Sequence, residues 1–167
     1  MKIFNIVALF IASFILQSTI YQYIAIFDIM PNTNLILIIL IALFTNKKVG
    51  GIVGLIIGMI QDILFGNVIG IHGLIYFFVG YLIGMANSAI SKDNSIASFL
   101  LTFITTICTN ILFFFIYYFS SANITFIQML KEITIVEAIY NSILAIFLFR
   151  IVKGLFVSPS LKFSRKD

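Results

Sequence analysis

Charge is scarce in this chain. Only 10% of its 167 residues are Asp, Glu, Lys or Arg, against 62% hydrophobic ones, and the mean hydropathy is +1.18. Soluble domains are nearer half apolar and a quarter charged, so the polar side chains present here cannot cover a water-soluble fold. Cysteine is almost missing. Cys108 stands alone, which excludes an internal disulfide and makes it a small apolar helix residue. One histidine and no cysteine cluster do not make a ligand set, so no metal is expected. Tryptophan is absent while Ile, Phe, Asn and Lys abound, a bias that fits an AT-rich coding sequence better than a functional choice. Runs of alternating polarity are missing too, which excludes a transmembrane barrel. The backbone must then satisfy itself within helices. There is no Walker A sequence, no H-E-x-x-H and no Gly-x-Ser-x-Gly elbow. No catalytic residue, cofactor or nucleic-acid partner is therefore assigned, and an enzyme is not expected.

What remains is apolar runs and the breaks between them. The breaks delimit six spans, near 3–27, 32–45, 49–65, 69–87, 96–119 and 132–155. Most approach the roughly 20 residues that cross a hydrocarbon core. The second, at roughly 14 residues or about 21 Å, is short enough to be re-entrant. Charge placement argues for six crossings. One side collects Lys2, Lys47, Lys48, Lys92, Arg150, Lys153, Lys162, Arg165 and Lys166, and the other only Lys131. By the positive-inside rule both termini are cytoplasmic. The expected fold is an all-α integral membrane protein: one six-helix domain over 1–157 and a short basic cytoplasmic tail over 158–167. The first span is too long for a signal peptide and lacks a small-x-small site before Tyr21. Pro31 suits the start of the second span, Gly66-Asn67 an outer turn and Ser91-Lys92-Asp93-Asn94 an inner one. Tyr21, Tyr23, Tyr117 and Tyr118 are expected at the outer interface. The loop 120–131, with Phe126, Ile127, Met129 and Leu130, suits a short helix on the bilayer or on the protein.

Polar residues within the spans gather in the outer half. They are Gln17, Ser18, Thr19 and Gln22 in the first span, Gln61 and Asp62 in the third and His72 in the fourth. Glu137 and Asn141 lie in the sixth, with Asn110 nearer mid-membrane in the fifth. A carboxylate in an apolar segment is a functional candidate by default. Asp62 and His72 flank the Gly66-Asn67 turn by about five residues each, so an antiparallel hairpin sets them at similar depth for a charge-assisted hydrogen bond. They are read as a structural pair closing the hairpin, with a ligand or proton-relay role and a partner contact as alternatives. Glu137 is read either as an interfacial residue reaching the outer headgroups or as part of the polar cluster.

Gly50, Gly54, Gly58, Asp62, Gly66 and Gly70 recur every four residues, and nine of the ten glycines lie between Gly50 and Gly84. Small residues at this spacing line one helix face and let another backbone approach closely. The row drifts by about 40° per step, which makes it a slanted ridge. With Gly80 and Gly84 it predicts tight packing of the third and fourth spans. Ala8 and Ala12 form a weaker small-residue pair on the first.

The chain resembles the rod shape-determining protein MreD family. The resemblance rests on Leu16-Gln17-Ser18-Thr19, on Pro31-Asn32, and above all on Gly54-x3-Gly58-x3-Asp62-Ile63-Leu64-x-Gly66-x3-Gly70. It implies a multi-pass protein of the bacterial cytoplasmic (inner) membrane and of the cell-elongation machinery. Its partners would be an MreC-like bitopic membrane protein, beside peptidoglycan synthases and the MreB cytoskeleton. The resemblance also implies a six-helix architecture like that of the substrate-binding components of energy-coupling-factor vitamin transporters. Two readings follow. In the first the chain is a non-enzymatic scaffold, with Gly54, Gly58, Asp62, Gly66, Gly70 and His72 setting the hairpin or meeting the partner. In the second it is a transporter component whose outer cluster, Gln17, Gln22, Glu137 and Asn141, lines a pocket. The glycine–aspartate block favours the first.

Overall fold

A computed structural model describes residues 2–21, 23, 25, 29–66, 68–119 and 134–156. Gln22, Asn67, the loop 120–131 with Lys131, and the boundary and tail at 157–167 lie outside the described residues. The described chain is all helical: α1 (Lys2–Thr19), α2 (Thr33–Phe44), α3 (Lys47–Phe65), α4 (Ile71–Met85), α5 (Ser95–Phe119) and α6 (Ile135–Phe156). Three of these, α3, α5 and α6, are long and apolar enough to cross a membrane, whereas α1, α2 and α4 are shorter apolar helices.

α2 is the axis of the bundle. It packs against each of the other five helices, and all its residues from Thr33 to Leu43 are buried. That explains its uniform hydrophobicity, because a helix walled in on every side has no use for a polar face. Asn32 caps its start by accepting from the Leu35 N–H at 3.0 Å. Asn46 does the same for α3 through Val49, also at 3.0 Å, so a two-residue turn joins the two helices. The Asn87 side chain donates to the Thr45 carbonyl and ties the end of α4 to that turn. Phe44 sits between Phe149 and Phe156 of α6 at ring separations of 5.5 and 6.2 Å. Lys153 of α6 reaches Asp93 in the α4–α5 turn at 2.9 Å.

Two tight hairpins flank α2. In α3–α4 the glycine row meets the matching row of α4, in antiparallel register. A Cβ on Gly50 would strike the Gly80 carbonyl, one on Gly54 the Tyr76 carbonyl, and one on Gly58 would lie 2.5 Å from the His72 carbonyl oxygen. At the basic end a Cβ on Gly84 would lie 2.7 Å from Lys47 backbone. Backbones this close forbid any side chain in the seam, as the spacing predicts. The second hairpin pairs α5 with α6. Its buried faces are small and polar too: Ser98, Thr102, Thr106 and Thr109 on α5, Ala138, Ser142 and Ala145 on α6.

α1 is shorter than expected, ending at Thr19 instead of near 27. The Ser18 and Thr19 hydroxyls donate back to the Ile15 carbonyl at 3.1 and 2.6 Å. Such bonds slightly destabilise and bend a helix. Tyr21 then turns inward and is buried, while Tyr23 and Tyr118 are exposed. The Tyr117 side chain lies outside the described residues.

Candidate functional site

The polar residues converge at the end of the bundle opposite Lys47, where α1, α3 and α5 finish and α2, α4 and α6 begin. Asp62 is the centre of the first group. It lies in the last turn of α3, 1% exposed, facing the start of α4. One carboxylate oxygen accepts from the N–H of Gly70 at 2.9 Å and of Gly73 at 3.2 Å. The other accepts from the His72 N–H at 3.2 Å and lies 2.7 Å from His72 Nδ1. The N-cap of α4 is Gly70, which has no side chain to offer and adopts φ +105°, a conformation that favours glycine. Asp62 therefore supplies across the turn what an N-cap residue normally supplies locally. It satisfies the first free amides and places negative charge at the positive end of the helix dipole. Four donors on one carboxylate offset its burial. His72 in turn lies against Phe113 of α5 at 4.5 Å and edge-on to Tyr76 at 5.5 Å between ring centroids. Gly66 ends α3, its N–H returning to the Asp62 carbonyl at 2.9 Å.

A second group surrounds Asn34 in the first turn of α2. Its oxygen accepts from Ser13 at 2.7 Å, and its amide donates to Gln17 at 3.0 Å and Gln61 at 2.9 Å. Ser13 also meets the Thr33 hydroxyl at 2.5 Å. One fully buried amide thus joins α1, α2 and α3.

The third group lies between α2, α5 and α6. Glu137 accepts from the Asn110 amide at 2.7 Å and from that of Asn141 at 3.4 Å. Asn141 accepts the Asn32 N–H at 2.8 Å and approaches Thr106 at 3.4 Å. Asn32 donates to the Tyr76 hydroxyl at 2.7 Å, linking this group to α4. Glu137 is therefore turned into the bundle and not towards headgroups.

The residues named from sequence do not form one cavity. Asp62, Gly70 and His72 come together. Glu137 and Asn141 come together, and Gln17 joins neither, being bonded to Asn34. Gly54 and Gly58 lie on the same ridge as Asp62 but are sealed under α4. Ala8 and Ala12 are exposed on α1. Sequence reading missed Ser13, Asn34 and Tyr76, and gave Asn32 no bonding role. The available signal was the cluster Asn32-Thr33-Asn34 opening an otherwise unbroken apolar run. Chemically the layer is a set of hydrogen bonds linking all six helices, with α2's first turn as its hub, while the buried hydroxyls of Thr109 and Thr134 near it have no hydrogen-bond partner among the described residues.

The description "rod shape-determining protein MreD" matches residues 1–158, and the chain belongs to that family. No curated protein and no solved structure matches it.

Proposed function

We propose that this MreD-family chain is a non-enzymatic membrane scaffold of the cell-elongation machinery, built as six spans over 1–157 with both termini and the tail 158–167 in the cytoplasm. It holds an MreC-like bitopic partner in the bacterial cytoplasmic membrane. Through that partner it links to peptidoglycan synthesis, beside the synthases and the MreB cytoskeleton. Family membership supplies the role in rod shape. The observation that carries the scaffold reading is the state of the polar layer, whose carboxylates are both held by donors of the chain itself. Groups fixed in this way brace helix ends. Asp62 and His72, with the ridge from Gly54 through Gly58, Gly66 and Gly70, set the α3–α4 hairpin. Gln17, Glu137 and Asn141 fix α1, α2 and α6 around it, and Gln22 is placed with them from sequence.

The test is affinity capture from native membranes. Recovery of a single-span protein with an extracytoplasmic domain and a wall-synthesis role supports the proposal. Recovery of ATPase subunits, or of a tightly bound small molecule, overturns it.

A further inference from the structure

α1 and α3 meet at the polar end and part towards the basic end. They are held together where Phe14 stacks on Phe65, 6.4 Å between ring centroids, and where Gln17 and Gln61 share Asn34. Below that point a groove of about 540 Å³ opens between them, with α2 packed against both helices behind it. Ile6, Phe10 and Phe14 form one wall, and Ile52, Ile56 and Ile60 are prominent on the other. Every lining residue is aliphatic or phenylalanine. Ile52 and Ile56 are half exposed in it.

Length and charge identify the occupant. The α3 wall, Val49 to Ile60, rises about 16 Å, and the α1 wall, Ile6 to Phe14, about 12 Å. One leaflet is about 15 Å deep, half of a hydrocarbon core of about 30 Å. A partner's transmembrane helix would need a seat through both leaflets, whereas the walls of this one run only about 12–16 Å, and the Phe14–Phe65 contact in the last turn of α3 closes its polar end. The open end is basic. Lys48 lies one turn before Ile52 on the same face of α3, is exposed, and forms no ion pair among the described residues. Lys2 holds the corresponding place one turn before Ile6 on α1. An apolar slot one leaflet deep with lysine at its mouth matches an anionic lipid, since juxtamembrane lysines attract such headgroups.

We propose that the α1–α3 groove binds an acyl chain of an anionic phospholipid of the cytoplasmic leaflet, with its headgroup at Lys48. The inference rests on the six-span topology proposed above and not on the identity of the protein partner. The chain fills the gap beside α1, a helix that otherwise leans on α2 and α6.

The absence of tryptophan allows a direct test. Ile56→Trp places a single reporter in the groove, and Leu100→Trp places one on the exposed face of α5. Each is reconstituted in phosphatidylcholine bilayers containing a minor fraction of lipid with brominated chains, either phosphatidylglycerol or phosphatidylcholine. The Ile56→Trp reporter is expected to be quenched at roughly five-fold lower brominated phosphatidylglycerol than phosphatidylcholine, the preference one lysine confers. Leu100→Trp should not discriminate, and adding Lys48→Glu should abolish the preference at Ile56→Trp. Equal quenching by both lipids, or a preference that survives Lys48→Glu, overturns the proposal. So does protection of Ile56→Trp from both lipids when the captured bitopic protein is added, which would make the groove a helix seat. Wild-type capture of that protein is scored separately, so failure of the scaffold reading leaves the lipid result readable.

Discussion

At the scale of single residues, the chain shows how a carboxylate can be kept in an apolar bundle. Asp62 accepts three backbone amides and the imidazole of His72. Asp62→Leu leaves all four donors, which are buried or part-buried, unanswered, and should cost about 3–5 kcal/mol. Folded domains hold only about 5–15 kcal/mol in total, so this variant is expected to accumulate poorly. Asp62→Asn keeps one accepting oxygen and should cost about 1–2 kcal/mol. Thermal unfolding of the detergent-solubilised protein ranks the two. Asn34→Leu preserves volume but takes the Asn34 amide from Gln17 and Gln61 and leaves Ser13 only the Thr33 hydroxyl, and should cost about 2 kcal/mol in the same assay. Asp93 makes the opposite case. Its hydrogen bond and charge pairing with Lys153 hold its carboxyl below the ordinary carboxylate range, so the pair contributes above the unfolded pKa and is lost as pH falls through the folded one. The carboxylate is exposed, and exposed pairs contribute little. Asp93→Asn should leave the midpoint within error at neutral pH, and any small difference from wild type should vanish in acid.

At the scale of elements, the α3–α4 hairpin is the part most legible from sequence. A period of four fixes which face is bare, and two such rows in adjacent spans can satisfy each other only by facing. Gly58→Ala should force the helices apart at about 1–3 kcal/mol, and Gly58→Leu should prevent the hairpin from closing. Gly154 of α6 has nothing near its missing Cβ, so Gly154→Ala should leave the midpoint unchanged or raise it slightly. The Asp62–His72 pairing was also readable, from equal distances to one turn. The amide capping was not, because its cause is the missing side chain at Gly70, and that only matters once α4 is known to begin there. The end of α1 was hidden because the apolar run continues past Thr19 and no cap residue marks the stop. Asn34 was hidden because its partners lie 17 to 27 residues away on two other helices. Glu137 was ambiguous because a carboxylate at that depth can turn either way, and the amides of Asn110 and Asn141 decide it.

At the scale of the whole molecule, a fully buried axial helix and a polar layer at one end give a bundle whose helices are fixed relative to one another. That rigidity suits a chain of a shape-determining family whose proposed work is to hold a partner in place. The central claim is that the layer braces the bundle and carries out no proton or ligand chemistry. His72→Gln tests it most directly, because glutamine can still donate to Asp62 while losing every acid–base property of imidazole. The variant is introduced into a rod-shaped host lacking its own family member, and cell shape is scored against the amount of folded protein in the membrane. Rods are expected in proportion to folded His72→Gln protein, as for wild type. Round cells containing wild-type levels of folded His72→Gln protein would contradict the claim.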